Sequence, residues 1–427
     1  MAEERIAVMG VGYVGLPLAL ALAGVFGDVR GFDVDSARVK ALRDGRDWND
    51  ETGQSLRTPV NLRFTDRVED LAGVGVFIIT VPTPIDDSRR PDLGPIEQAC
   101  RAIARVIARG ALVIVESTVY PGVVEEFCGP IIARESGLSQ GRDFKLGYSP
   151  ERINPADNDH RLDNVVKIIA AEDGETLERM AQLYGAVVHA GLHRAPSIQI
   201  AEAAKVTENI QRDVNIALVN ELARIFDRLG LRTHDVLEAA GTKWNFMKFR
   251  PGLVGGHCIG VDPYYLIARA EAFGYYPEVI RASRRLNNGM AGFIAERAIK
   301  LLTRAGRSIK AARIGILGLT FKEDVTDIRN SQVPEIAREL AQFGAAPLIH
   351  DPHADPHRVK EEYGIELATW EQLGELDALV LAVAHRVFLA RPRGDIFGLL
   401  RPDGVMIDIK SVFHPDEVPA GLHYWSL

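Results

Sequence analysis

An α/β architecture, with two doubly wound parallel sheets joined by a long central helix, is what three features of this 427-residue sequence predict. Short apolar runs alternate with amphipathic stretches through the first part of the chain. The same grammar returns near the other end, where Arg313-Ile-Gly-Ile-Leu-Gly-Leu-Thr320 echoes Arg5-Ile-Ala-Val-Met-Gly-Val-Gly12. Between the two, residues 198–229 hold neither Gly nor Pro and repeat apolar residues at helical spacing.

In order along the chain, Ile6-Ala-Val-Met9 forms a strand, Gly10 to Gly15 a turn, and Leu16 to Phe26 a helix. A second strand, Val29 to Phe32, ends on Asp33, and further buried strands are expected at Val74 to Val81 and Ala111 to Val115, with the amphipathic stretch Ile96 to Ile107 between them. The central helix, Ile198 to Leu229, carries Ile210, Val214, Ala217, Leu218, Leu222 and Ile225 on its apolar stripe. It exceeds the usual globular length, which suits a domain bridge or a dimer interface. A Gly/Pro-rich loop, Gly241 to Pro263, follows it. In the second half, Pro347 to Asp351 mirrors Val29 to Asp33, and Leu379 to Val383 and Val405 to Ile409 supply two later strands. The implied segments are 1–195, 196–305 and 306–427.

A chain 47% hydrophobic and 25% charged is globular rather than disordered. A net charge of -8 leaves no basic excess to recruit nucleic acid. Three scattered cysteines, Cys100, Cys128 and Cys258, form neither a disulfide framework nor a zinc pattern, so no metal is expected and a reducing cytoplasm fits. Residues 6–27 lack charge over a span-like length, yet five glycines and Pro17 interrupt them and no basic leader precedes them. A membrane segment is therefore not expected.

The first turn suits a dinucleotide. Gly10 permits the sharp turn, Gly12 lets backbone approach a pyrophosphate, and Gly15 lets helix pack on strand, so that the helix N-terminus faces the anion. Asp33, about 20 residues on, can accept both ribose hydroxyls of NAD, whereas a 2'-phosphate about 4 Å away would meet repulsion of roughly 4 kcal/mol. Arg38 could reach an adenosine-side phosphate, but NAD remains the favoured cofactor.

Cys100 and Cys128 sit in apolar helical patterns and suit the core, whereas Cys258 lies among four glycines and two prolines in the stretch Phe249 to Tyr265. A thiol there is accessible, and His257, Arg250 or Lys243 could favour its thiolate. A thiolate beside a nicotinamide makes aldehyde oxidation possible, because a thiohemiacetal donates hydride and a free aldehyde does not.

The chain resembles the nucleotide-sugar 6-dehydrogenases, the family of UDP-glucose, UDP-N-acetylhexosamine and GDP-mannose dehydrogenases. Seven motifs carry the resemblance in family order: Gly10-Val-Gly-Tyr13-Val14-Gly15, Val81-Pro82-Thr83-Pro84, Glu116-Ser117-Thr118, Ser149-Pro-Glu151-Arg152, Ala204-Lys-Val-Thr-Glu-Asn209, Gly255-Gly-His-Cys-Ile-Gly-Val-Asp262 and Gly318-Leu-Thr-Phe-Lys-Glu-Asp324. The resemblance implies two NAD-dependent hydride transfers that turn the sugar C6 alcohol into a carboxylate, with Cys258 holding the intermediate. It implies that Lys205 and Asp262 hold a water or polarise the C6 oxygen, that Asn209 assists, and that Glu151 serves in thioester hydrolysis with Thr118 beside the water. Tyr13, Val14, Pro82, Thr83, Ser117 and Thr118 join the glycines as cofactor residues.

By the same resemblance, Glu151, Arg152, Lys205, Asn209, Phe249, Arg250, Leu253, Gly255 and Tyr275 contact the sugar nucleotide, with Lys322 and Arg329 on diphosphate or sugar. The second glycine turn has lost the full motif, so the second half is expected to take the UDP end rather than another NAD. After Glu151 the chain continues Arg-Ile-Asn-Pro155, without the second acid of the common UDP-glucose pattern. That turn and the loop Phe249 to Cys258 are similar to the UDP-N-acetylhexosamine branch, so UDP-N-acetylglucosamine is the expected substrate, with its galactosamine and mannosamine epimers left open, for surface polysaccharide precursors, and a homodimer the expected assembly. UDP-glucose oxidation, a two-electron hydroxyacid dehydrogenase and a non-catalytic NAD-binding sensor are the alternatives.

Overall fold

The computed structural model describes residues 4–47, 56–86, 88–152 and 162–427. They divide into two compact units, Met1–Glu208 with Tyr264–Tyr276 and Asn209–Pro263 with Pro277–Leu427. The first is built on an eight-stranded sheet of β1 (Arg5–Met9), β2 (Asp28–Phe32), β3 (Leu62–Thr65), β4 (Val76–Ile79), β5 (Ala111–Val115), β6 (Phe144–Tyr148), β7 (Lys167–Ala171) and β8 (Leu192–Arg194), ordered 3-2-1-4-5-6-7-8. Ile6 to Met9 are at most 1% exposed, because helices cover both faces of a parallel sheet and alternation disappears. The helix Gly15–Ala23 buries Leu16, Leu18, Ala19 and Leu22. Residues 6–27 are thus strand, turn and a nine-residue helix, and among the described residues no helix is long and apolar enough to cross a membrane.

One pairing departs from the expected parallel order: β7 runs antiparallel to β6, through Gly147 with Ala171 and Tyr148 with Ala170. Strand direction was not legible, since a fully buried apolar run looks the same either way.

The second unit carries a parallel five-stranded sheet of β9 (Arg313–Leu317), β10 (Ala346–His350), β11 (Leu376–Leu381), β12 (Leu400–Asp408) and β13 (His423–Ser426), ordered 10-9-11-12-13. β11 stops two residues short of the predicted Val383, because the Ala382 and Val383 N–H groups both turn to the Leu317 carbonyl.

The helix Ile198–Leu229 runs its predicted length of 32 residues. Its apolar stripe divides: Ile210 and Ala217 are buried, while Leu218 and Ile225 are 54% and 44% exposed. From the same helix Asn220 clamps the following loop, its Nδ2 donating to the Gly252 carbonyl (3.0 Å) and its Oδ1 accepting the Gly252 N–H (2.8 Å). Gly252 has φ +156, and the buried Asn287 amide backs the clamp at 2.9 Å. A planar amide thus fixes the backbone ahead of Cys258 without side-chain help from the loop.

Candidate functional site

In the first unit the glycine turn has the shape a dinucleotide requires. Gly10 adopts φ +95 and donates to the Phe32 carbonyl (2.8 Å); a Cβ on Gly15 would lie 1.8 Å from the Gly10 oxygen, so no larger residue fits. Above Gly12 nothing lies within 4 Å of where a Cβ would be, which leaves backbone open to an anion at the helix N-terminus. Asp33 accepts the Val11 N–H on Oδ2 and the Asp35 N–H on Oδ1, both at 3.0 Å, and remains part exposed with further acceptor capacity for ribose hydroxyls. These residues fit NAD.

Arg38 takes a different place from the one expected. It is 6% exposed, donates from Nε and Nη2 to the Val11 carbonyl (3.2 and 3.0 Å) and pairs with Asp47 at 2.5 Å. It supports the turn from within instead of reaching outward to a phosphate, because a carbonyl and a buried carboxylate already occupy its fork. Tyr13, Val14, Thr83 and Thr118 are part exposed and Pro82 is exposed, while the Ser117 hydroxyl donates to the Val81 carbonyl (2.7 Å) and ties the ends of β4 and β5 together.

The segment ending β6 is anchored from below. Glu116 is fully buried and meets Lys167 at 3.1 Å, with Tyr184 donating to its other oxygen. Burial raises the Glu116 carboxyl, against the pull of Lys167. Ser149 donates to the Ile168 carbonyl (2.8 Å), and Lys205 Nζ reaches the Glu151 carbonyl (2.7 Å). The Lys205 ammonium therefore touches the main chain of Glu151. The Glu151 carboxylate accepts the Arg152 N–H, and Arg152 spans the Val166 carbonyl (2.9 Å) and Glu208 (2.8 Å). Residues 153–155 of that turn lie outside the described residues. One turn before Lys205, buried Glu202 accepts the Gly122 and Val124 N–H groups at 2.6 and 3.0 Å, and burial pushes its carboxyl up to about 7.

In the second unit, Asn209, Cys258 and Asp262 come together. Asn209 Nδ2 donates to Asp262 Oδ2 (2.6 Å), and the Asp262 and Val261 N–H groups both donate to the Cys258 carbonyl (2.8 and 3.0 Å). Cys258 is part exposed, unlike Cys100 and Cys128, both fully buried. Of the three cations suggested by sequence, His257 is the one whose imidazole responds to Cys258; Lys243 and Arg250 are exposed. Burial works against a charge on His257, but Asp327 and Cys258 outweigh it and bring the imidazole up to about 9. Arg329 Nη2 lies 3.2 Å from His257 Nδ1, a bond open only to the neutral ring; once protonated, Nδ1 faces Asp327 Oδ2 at 3.7 Å. Asp327 also receives Arg329 through Nε and Nη2 (3.0 and 2.7 Å), which fixes the guanidinium.

Beside this loop lies a cleft of about 800 Å³ in the second unit, lined by Phe249, Arg250, Lys248, Glu323, Lys410 and Ser411 among others. Leu253, Gly255 and Lys322 border a smaller recess shared with Glu323 and Lys410. A Cβ on Gly255 would come within 2.7 Å of the Asn330 oxygen, so the loop packs backbone to backbone there. Tyr275, 68% exposed, belongs to the first unit. Sequence reasoning missed Asp327, Glu323 and Lys410. Asp327 and Glu323 stood in or beside a motif already singled out, and Lys410 follows a recognised strand at the carboxyl end, where α/β sheets hold ligands. Asp324, His353 and His385 bring ligand-type atoms within 4.8 Å of one another, but His385 uses both ring nitrogens, Nδ1 accepting the Asp324 N–H and Nε2 facing Asp351.

A dinucleotide turn in one unit, and a cysteine loop beside a cationic cleft in the other, define an NAD-dependent oxidoreductase. Models of the UDP-glucose/GDP-mannose dehydrogenase family match in order along the chain: the NAD binding domain over residues 4–188, the central domain over 199–289 and the UDP binding domain over 315–415. The chain belongs to that family. It is 46% identical to the UDP-N-acetyl-D-glucosamine 6-dehydrogenase of Salmonella typhi, over 97% of this chain and 98% of the relative. It is likewise 46% identical to the protein of that name from Pseudomonas aeruginosa, over 98% and 99%. The solved structure of a UDP-D-ManNAc dehydrogenase from Pyrococcus horikoshii superposes with a TM-score of 0.86 at 31% identity, covering 99% of this chain and 98% of the other.

Proposed function

We propose that this protein oxidises the C6 hydroxyl of a UDP-N-acetylhexosamine, with UDP-N-acetylglucosamine the preferred substrate, to the uronic acid, as a precursor of surface polysaccharide. Cys258 carries this reading: part exposed, next in sequence to a His257 whose imidazole Asp327 and Cys258 hold above its ordinary range, and set in a chain 46% identical to two proteins named for that activity. The Gly10 to Gly15 turn and Asp33 would hold NAD, which would supply the hydride acceptor for both oxidations. In the first, Asp262, oriented by Asn209, takes the C6 hydroxyl proton through a held water while the Lys205 ammonium polarises the oxygen. The Cys258 thiolate then forms a C–S bond to the C6 aldehyde carbon, keeping the aldehyde on the protein. Loss of the second hydride leaves a thioester. Water adds to its carbonyl with help from Glu151 and Thr118, the C–S bond breaks, and the electron pair returns to Cys258 as carboxylate forms. Phe249 and Arg250 in the cleft, with Lys322 and Arg329, take the nucleoside diphosphate.

The test is a turnover assay on a panel of UDP-sugars. Two NADH per UDP-N-acetylglucosamine are expected, with kcat/KM above that for UDP-glucose by roughly 5- to 150-fold, since an acetamido pocket left unfilled strands polar groups at about 1 to 3 kcal/mol. One NADH per sugar would point to a two-electron dehydrogenase, and binding without turnover to a sensor. UDP-glucose as best substrate would overturn the sugar assignment and leave the four-electron chemistry standing.

The assembly proposed is a homodimer in the cytoplasm. Leu218, Ile225 and Leu229 stand 54%, 44% and 64% exposed at intervals of seven and four along one helix, a seam with the spacing of helix-to-helix packing. Analytical ultracentrifugation returning a monomer at working concentration would refute it.

A further inference from the structure

The second glycine turn departs from the first at one position in a way that bears on the cleft. Gly318 corresponds to Gly10: each has positive φ (+88 and +95) and donates to the last residue of the neighbouring strand, His350 or Phe32, at 2.8 Å. Counting on from there, Glu323 stands where the first turn has Gly15. A position that admits only glycine in the dinucleotide turn is thus held by an acid in the second.

Glu323 does not point away from the chemistry. It lines the cleft of about 800 Å³ and pairs with Lys410 at 2.9 Å, both side chains about one third exposed. Lys410 lies at the carboxyl end of β12, and its Nζ is 3.9 Å from where a Cβ on Gly252 would stand, on the loop that leads to Cys258. Burial raises the Glu323 carboxyl, but Lys410 more than offsets it and keeps the acid ionised. The cleft therefore presents Lys248 and Arg250 with a third cation already neutralised from within.

We propose that Glu323 is a resident counter-ion for Lys410 that a nucleoside diphosphate must displace, so that it sets a ceiling on nucleotide affinity and speeds release of the product. The carboxylate lies near the site of the incoming phosphates and repels them, while Lys410 leaves one anion for another. This rests on the reading of the cleft as the sugar-nucleotide site.

Isothermal titration of the full-length protein with UDP, UMP and uridine tests it. Glu323→Gln should tighten UDP about tenfold and uridine less than twofold, UMP falling between, and the gain should shrink in 1 M salt as screening removes the repulsion. Glu323→Asp keeps the charge and should stay near wild type; Glu323→Ala replaces the Gln variant should that fail to fold by thermal melting. Unchanged or weaker UDP binding in the neutral variants, or UDP and uridine shifting together, overturns the proposal, the latter because Glu323 would then be touching the nucleoside. Failure of the wild-type protein to bind UDP would instead strike the reading of the cleft.

Discussion

The two glycine turns begin alike and end as opposites. In both, a Gly with positive φ follows a central strand, and an aspartate after the next strand accepts main-chain N–H groups from the turn: Asp33 from Val11, Asp351 from Leu319 and Thr320. Asp33 stays part exposed and retains acceptor capacity. Asp351 is 7% exposed, accepts His353 and Ala354 N–H groups on its other oxygen, and faces His385 Nε2 at 3.0 Å. At the remaining positions, Gly12 becomes buried Thr320, its hydroxyl bonded to the Lys322 carbonyl, and Gly15 becomes Glu323. No helix starts there; the next begins at Val333. One turn geometry thus serves as a cofactor cradle where its polar groups are left open and as a scaffold where they are closed on themselves.

The strongest way to break this division of labour is at the chemistry. Cys258→Ser should lower sugar-acid formation by several orders of magnitude, since an alkoxide forms far less readily than a thiolate at neutral pH, while NADH binding at the first turn, followed by fluorescence titration, stays within twofold. Unaltered acid production would end the covalent mechanism. Cys100→Ser and Cys128→Ser, at fully buried positions, should change melting temperature more than rate.

Next in size, Asp351→Asn should destabilise the second unit by about 3 to 5 kcal/mol in chemical denaturation, because it leaves buried donors and His385 without their anion. Burial raises the Asp351 carboxyl, but His385 and the main-chain N–H groups hold it well below the usual carboxylate range. A depressed carboxyl contributes stability above its unfolded pKa, and this is lost as pH falls through the folded value, so wild type should weaken below about pH 4 and the Asn variant less so. The corresponding Asp33→Ala should leave stability within about 1 kcal/mol and instead erode a preference for NAD over NADP of at least about tenfold, or 1.4 kcal/mol, measured as kcat/KM for both cofactors. Equal stability losses at the two aspartates would erase the contrast.

The smallest effect concerns His257. With its imidazole up to about 9, it keeps its charge until pH nears that value, and the stability it contributes, full below about 6.5, is lost as pH rises through 9. Alkylation of Cys258 by iodoacetamide at pH 7.5 should therefore be about three- to tenfold slower in His257→Gln, with the gap closing above pH 9. A constant ratio across pH would show that the imidazolium does not govern the thiol.

Much of this was legible in the residues alone. Local chemistry fixed the turn at Gly10 to Gly15, the 32-residue helix and the loop around Cys258, because backbone sterics, helical periodicity and the absence of regular patterning are each written in a short window. The motif acids and bases were named by another route, the resemblance to the nucleotide-sugar dehydrogenases that those motifs carry. Only tertiary structure decided which groups are open and which are already satisfied. Arg38 reads as a phosphate ligand until Val11 and Asp47 occupy its fork, Asp351 reads as a second Asp33 until five donors close on it, and Glu323 is one more charge in a motif until it meets Lys410 from a strand end 87 residues away. Sequence specifies what a side chain can bond to; the partners arrive across long chain separations, and the free energy of a buried polar group depends on those partners more than on the residue itself.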